Sequence, residues 1–189
     1  MAGLKQIHSA RCLRAAGPGC AGEGDALITN LPGLAISIRT ADCFPILLAD
    51  PRNGAVAAIH AGWRGTASWI VEGTIRQMRV EFGTVPNDVR AAIGPGIGGC
   101  CYEVGQEVAR QFGRDAAARI DLAEANRAQL IESGVPADQI DVLGLCTFCD
   151  PSLFHSYRRD KDRAGRMISY IRAPGIVSWE SPVRQGGGS

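Results

Sequence analysis

Histidine is scarce in this chain: 189 residues contain three, His8, His60 and His155. A four-copper blue oxidase needs about ten histidines and a cysteine to fill its centres, so that class is excluded. Long hydrophobic runs are missing too. The longest apolar stretches, Phe44 to Ala49 and Ala55 to Ile59, fall far short of the roughly 18 residues that suggest a membrane span. No excess of charge of one sign exists, because 20 Lys and Arg oppose 19 Asp and Glu for a net charge of +1. Without a general field towards nucleic acid or anionic membrane, an anionic ligand must be held by a local site. Met1 to Cys12 carries Lys5, Gln6, His8 and Arg11 where a signal peptide needs an apolar core, so the expected location is the cytoplasm. There the seven cysteines are expected as reduced thiols that pack or bind metal, not as a disulfide framework.

The chain is 46% hydrophobic and 21% charged, enough to bury one sizeable core and too apolar for disorder. Short apolar or β-branched runs at 26–29, 34–40, 45–49, 55–59, 89–93, 140–145 and 167–171 are bounded by Gly, Pro, Asn or Asp, the pattern of buried strands. Ala67, Ile70, Val71, Thr74, Ile75, Met78 and Phe82 recur at helical steps and predict one long helix starting after Gly65. Val104, Val108 and Phe112 predict a second helix ending near Gly113. A third spans Ile120 to Ile131 and stops at Ser133-Gly134 before Pro136. Asn30 to Gly33 and Asp50 to Gly54 read as turns. The mixed charges of Arg158 to Arg163 read as a solvated hairpin tip. Together these predict an α+β fold, mixed sheets packed with helices in a layered sandwich, as a single domain over 1–172 with a flexible tail over 173–189.

Cys43 and His60 each sit at the end of a predicted strand, seventeen residues apart. That spacing is too long for a local zinc knuckle and suits adjacent strands joined by a turn. With His8 they make two imidazoles and a thiolate, a set that borderline zinc accepts while keeping a fourth position open. Inert packing of the cysteine and a hydrogen-bonded core histidine remain the bland alternatives. Cys146-Thr-Phe-Cys149 is a C-x-x-C that could bind zinc or exchange a disulfide, yet no second pair lies at finger spacing. The adjacent Cys100-Cys101 reads as packing.

The segments Gln6-Ile-His8, Thr40-Ala-Asp-Cys43-Phe-Pro-Ile, His60-Ala-Gly-Trp-Arg-Gly65, Ile93-Gly-Pro-Gly-Ile-Gly-Gly99, Cys101-Tyr-Glu-Val-Gly105 and Ser156-Tyr-Arg-Arg-Asp160 with Gly165-Arg-Met occur in this order. They resemble the bacterial YfiH-like family, long labelled multicopper polyphenol oxidase or laccase-domain, from about Gln6 to Arg172. The resemblance implies zinc held by His8, Cys43 and His60, with copper the lesser choice. It implies a fold related to the cysteine hydrolases. It also implies phosphorolysis of adenosine, inosine, guanosine and methylthioadenosine, accompanied by adenosine deamination.

On that footing, Arg64, Arg39 and the amides around Gly94, Gly96 and Gly98 are candidates to hold phosphate. Asp42 and Glu103 are candidates for proton transfer. The expected partners are purine nucleosides and phosphate, not nucleic acid or membrane, and the sequence does not set the oligomeric state. Family members usually carry a further N-terminal stretch before the first motif, so the chain is expected to be N-terminally truncated, with one sheet edge uncovered. Two other readings stay open. One is a thiol hydrolase of peptidoglycan editing with Cys43 as nucleophile and His60 as base. The other is a copper site, against which stands the distance in sequence from Cys43 to Met78.

Overall fold

The computed structural model describes residues 1–175. In chain order its strands are β1 (Ala2–Lys5), β2 (Cys12–Arg14), β3 (Gly19–Glu23), β4 (Ala26–Thr29), β5 (Ala35–Thr40), β6 (Phe44–Ala49), β7 (Val56–Ala61), β8 (Arg90–Ile93), β9 (Glu103–Val104), β10 (Ala118–Arg119), β11 (Ile140–Val142) and β12 (Met167–Arg172). The helices are α1 (Trp63–Ala67), α2 (Ile70–Phe82), α3 (Gln106–Arg110), α4 (Leu122–Glu132) and α5 (Tyr157–Asp160).

The strands form a six-stranded sheet, order β11-β8-β6-β7-β4-β2, a four-stranded sheet, order β12-β5-β1-β3, and the small pair β9-β10. Successive side chains on a strand point to opposite faces, and the two faces of the six-stranded sheet have different neighbours. Leu27, Val56 and Ala58 join Ala2, Leu4, Ile36 and Ile38 in a layer between the two sheets. Ala26, Ile28, Ile46, Leu48, Ala57 and Ile59 face the other way, onto Ile70, Val71, Ile75 and Met78 of α2 and Leu130 of α4. The result is a three-layer α+β sandwich, as expected from the sequence.

All seven expected strands are present. The first 23 residues add β1, β2 and β3, which the sequence does not announce: Gly19–Glu23 reads GCAGE and is largely exposed at a sheet edge. The long helix is broken. Trp69 takes a left-handed conformation, φ 59°, separating α1 from α2, so that Thr66 of α1 turns towards α4. There Asn126 Nδ2 donates to Thr66 Oγ1 at 3.0 Å and Gln129 Nε2 to its carbonyl at 2.7 Å. The second helix is only five residues, because Val104 is drawn into pairing with Ala118. α4 begins at a capping residue, Asp121, whose carboxylate accepts from the Glu124 amide. Tyr157–Asp160 is a short helix capped by Ser156, not a hairpin tip. Ala173, expected in the flexible tail, is buried and exchanges backbone hydrogen bonds with Gly33 and Leu34. Residues 176–189 of that tail lie outside the described residues. No described helix is long and apolar enough to cross a membrane.

Candidate metal centre

The alternation of β7 decides where His60 points. Val56 and Ala58 enter the layer between the sheets, so His60, two residues on, faces the same side at the layer's open end. Leu47 and Ala49 of β6 also pack towards that layer; two steps back from Leu47 is Pro45, which pairs with His60, and two more is Cys43. His8 arrives from the loop between β1 and β2, with φ 58°. The ligand atoms of His8, Cys43 and His60 all lie within 4.8 Å of one another. Room for the sulfur depends on Gly62, where an added Cβ would lie 2.8 Å from Cys43 Sγ.

Asp25, which sequence reasoning missed, organises this set. It is fully buried just ahead of β4, and its carboxylate accepts from His60 Nδ1 at 2.8 Å. It also accepts from the amides of His8 at 3.0 Å and Ser9 at 2.6 Å and from Ser9 Oγ at 2.8 Å. One side chain thus fixes the His60 ring and the strained loop bearing His8. With Nδ1 occupied, Nε2 is the nitrogen left for a metal, the carboxylate–histidine arrangement that orients such ligands. The available signal was the acidic residue itself, abutting the apolar run Ala26–Thr29.

The charges respond to this packing. Burial works to raise the Asp25 pKa, but the bonds from His60 and Ser9 outweigh it and hold it at about 2. Burial would also raise Cys43, while His60 and His8 pull it down to about 7. His60 is opposed by burial and raised by Asp25 and Cys43 to about 9. Two imidazoles and a readily ionised thiol fit a zinc-type cation with an open side.

The open side is a cavity of about 520 Å³ lined by Lys5, Gln6, His8, Arg39, Ala41, Cys43, His60, Ala164 and Arg166. Three lining residues are cationic and none is acidic. Gln6 holds Arg39 in place like a backbone segment, its amide bonding both the Arg39 N–H and carbonyl at 2.8 and 2.7 Å. Lys5 and Arg166 were not singled out from the sequence; Lys5 also pairs with Glu23 at 2.7 Å.

Other expected site residues are placed differently. Arg64 does not line this cavity; its guanidinium stacks 4.4 Å from the Trp63 ring centroid. The amides of Gly94, Gly96 and Gly98 are spent on the fold, donating to Pro45 O, Leu145 O and Cys146 Sγ, so they offer no cradle to phosphate. Asp42, at φ 85°, accepts from Thr147 Oγ1 at 2.7 Å and from the Arg158 amide at 2.6 Å. With both oxygens engaged, it braces the loop beside Cys43 and is not a free proton shuttle. Glu103 is an exposed residue of β9 outside the cavity lining; its carbonyl accepts from Arg158.

The model of the multi-copper polyphenol oxidoreductase laccase family matches residues 1–174. The chain belongs to this family. Within it, the chain is 44% identical over 181 residues to a Deinococcus radiodurans protein named purine nucleoside phosphorylase, covering 90% of this chain and 69% of that one. It is 40% identical over 161 residues to adenosine deaminase RL5 from an unknown prokaryotic organism, covering 78% of this chain and 61% of that one. The crystal structure of the Bacillus licheniformis hypothetical protein YfiH superposes with a TM-score of 0.84 at 34% identity, over 89% of this chain and 72% of that one. The laccase family takes its label from multicopper chemistry, whereas this member's three histidines cannot furnish four copper centres.

Proposed function

We propose that the chain is a zinc-dependent purine nucleoside phosphorylase with an accompanying adenosine deaminase activity. The observation that carries this reading is the cationic cavity opening onto the His8–Cys43–His60 set, in a family whose named members include both activities. His8, Cys43 and His60 would hold the zinc, which supplies a Lewis acid for charge developing on the substrate. Copper is the lesser alternative for the same ligands. Asp25 keeps the His60 ring turned with Nε2 inward. Arg39, fixed by Gln6, and Arg166 bind phosphate at the cavity mouth, with Lys5 adding positive charge.

In phosphorolysis a phosphate oxygen forms the new bond to the sugar C1′ while the C1′–N9 bond breaks, its electron pair and a proton ending on the base. In deamination water adds at C6 of adenosine and ammonia leaves, with no phosphate involved. The protein therefore needs its arginines for one reaction more than for the other. Incubation with inosine tests the reading: base release that requires inorganic phosphate and yields ribose 1-phosphate is expected. Release without phosphate, or none from zinc-loaded protein, would contradict it.

A specific observation favours a second reading. Asp25 bonds His60 Nδ1, and the Cys43 sulfur lies within 4.8 Å of the His60 ring nitrogen, the residue order of the carboxylate–imidazole–thiol triad of a thiol hydrolase. Purification without bound zinc, with Cys43 alkylated rapidly, would support that enzyme instead.

A further inference from the structure

Four cysteines that sequence spacing separates are brought together away from the cavity just described. The ligand atoms of Cys100, Cys101, Cys146 and Cys149 all lie within 4.8 Å of one another. Cys149 Sγ is 3.7 Å from Cys100 Sγ and 3.4 Å from Cys101 Sγ. A tetrahedral zinc with bonds of about 2.3 Å sets its sulfurs about 3.8 Å apart. We propose that Cys100, Cys101, Cys146 and Cys149 form a second metal site, a mononuclear tetrathiolate that takes zinc as a structural ion.

Adjacent cysteines reach one ion only if the backbone turns between them. Here the segment after Gly98 is a tight turn, with the Cys101 and Tyr102 amides both donating to the Gly98 carbonyl at 2.9 Å, and both sulfurs come to Cys149. The C-x-x-C partner is prepared as metal knuckles are: Gly98 N–H donates to Cys146 Sγ at 3.2 Å. Zinc bound to the four sulfurs displaces their thiol protons to water. The sulfurs are too close together to enclose bridging sulfides, and tetrahedral S4 otherwise points to zinc or iron. A disulfide needs a contact of about 2.05 Å, whereas Cys149 Sγ stands 3.7 and 3.4 Å from Cys100 Sγ and Cys101 Sγ.

The position explains a structural duty. β8 and β11 are parallel neighbours, and the cysteines sit on the loops that leave their C-terminal ends. Beyond the strands the ladder continues through the Leu143 amide, which donates to the Ile93 carbonyl, and through Gly96 with its bonds to Leu145 and Thr147. A metal there fastens both loops, and Thr147, inside the C-x-x-C, holds the Asp42 carboxylate beside Cys43.

The proposal does not rest on the purine reading, and its test needs no turnover. Zinc content should fall by one per chain from the wild-type value in Cys146→Ser/Cys149→Ser and should be one per chain in Cys43→Ser/His60→Ala. Cobalt loaded into the last variant should give the intense visible bands and sulfur charge transfer of a tetrahedral S4 site. Should the cysteine variant fail to fold, the wild type still decides: Cys100 and Cys149, both exposed, should resist iodoacetamide until a chelator removes the metal. Zinc-free Cys43→Ser/His60→Ala, an iron chromophore, alkylation indifferent to chelator, or a native mass lighter by the hydrogens of a disulfide would each overturn the proposal.

Discussion

At the scale of single residues, Asp25 holds the His60 ring and the His8 loop, and Arg39 is the phosphate ligand proposed above. Asp25→Asn keeps the size of the side chain but loses the charge that pins His60 Nδ1. Zinc affinity should fall about 10- to 100-fold, the range for losing such a partner of a ligand, measured by competition with a chromophoric chelator. Ser9→Ala removes one hydroxyl donor and leaves the His60 bond, so its affinity should stay near wild type; equal losses would make Asp25 a general scaffold residue. Arg39→Ala should lower inosine phosphorolysis by ~100-fold or more, the scale for losing one charge-stabilising group, while adenosine deamination changes much less. Arg64→Ala, which strips a stacked cation from Trp63, should not separate the two rates. A selective loss of phosphorolysis in Arg64→Ala and not in Arg39→Ala would move the anion site back to the residue that sequence spacing favours.

At the scale of elements, the loop from Gly94 to Gly99 is a packing device. A Cβ at Gly96 would lie 2.7 Å from the Phe44 ring, so Gly96→Ala should destabilise the fold by about 1–3 kcal/mol, the cost of overpacking. Gly73 lies inside α2 with nothing within 4 Å of an added Cβ, and Gly73→Ala should stabilise by about 0.5–1 kcal/mol. Denaturant midpoints of the two variants should move in opposite directions; a shift of the same sign would refute this packing account. The strands with dense apolar runs were legible because both faces of the six-stranded sheet are covered. β1 to β3 were not, since all three are short, glycine interrupts β1 and β3, and their order comes from pairing β1 with β5, β3 with β1 and β2 with β4. The break at Trp69 was hidden because the stripe from Ala67 to Met78 keeps helical spacing across it. Tertiary bonding of Thr66 to α4, not local propensity, favours the interruption.

At the scale of the molecule, the convergence of His8, Cys43 and His60 was legible because strand ends on adjacent strands are a topological neighbourhood that spacing can suggest. What remained hidden was supplied from elsewhere in the chain. Lys5 precedes the first motif and Arg166 lies inside the last, neither with a spacing signal that points to an anion, and the loops bearing Cys100 and Cys149 meet because β8 and β11 are parallel neighbours. Asp42 looked reactive in sequence because it adjoins Cys43, and the glycine amides because a glycine-rich loop can cradle an anion, whereas the fold has already used their hydrogen bonds. The most direct measurement combines zinc content and inosine phosphorolysis on Cys43→Ser, with His155→Ala as a control and folding verified by circular dichroism. The account predicts that Cys43→Ser loses one zinc per chain together with phosphate-dependent cleavage, while His155→Ala keeps both. Undiminished zinc or undiminished phosphorolysis in folded Cys43→Ser would contradict it.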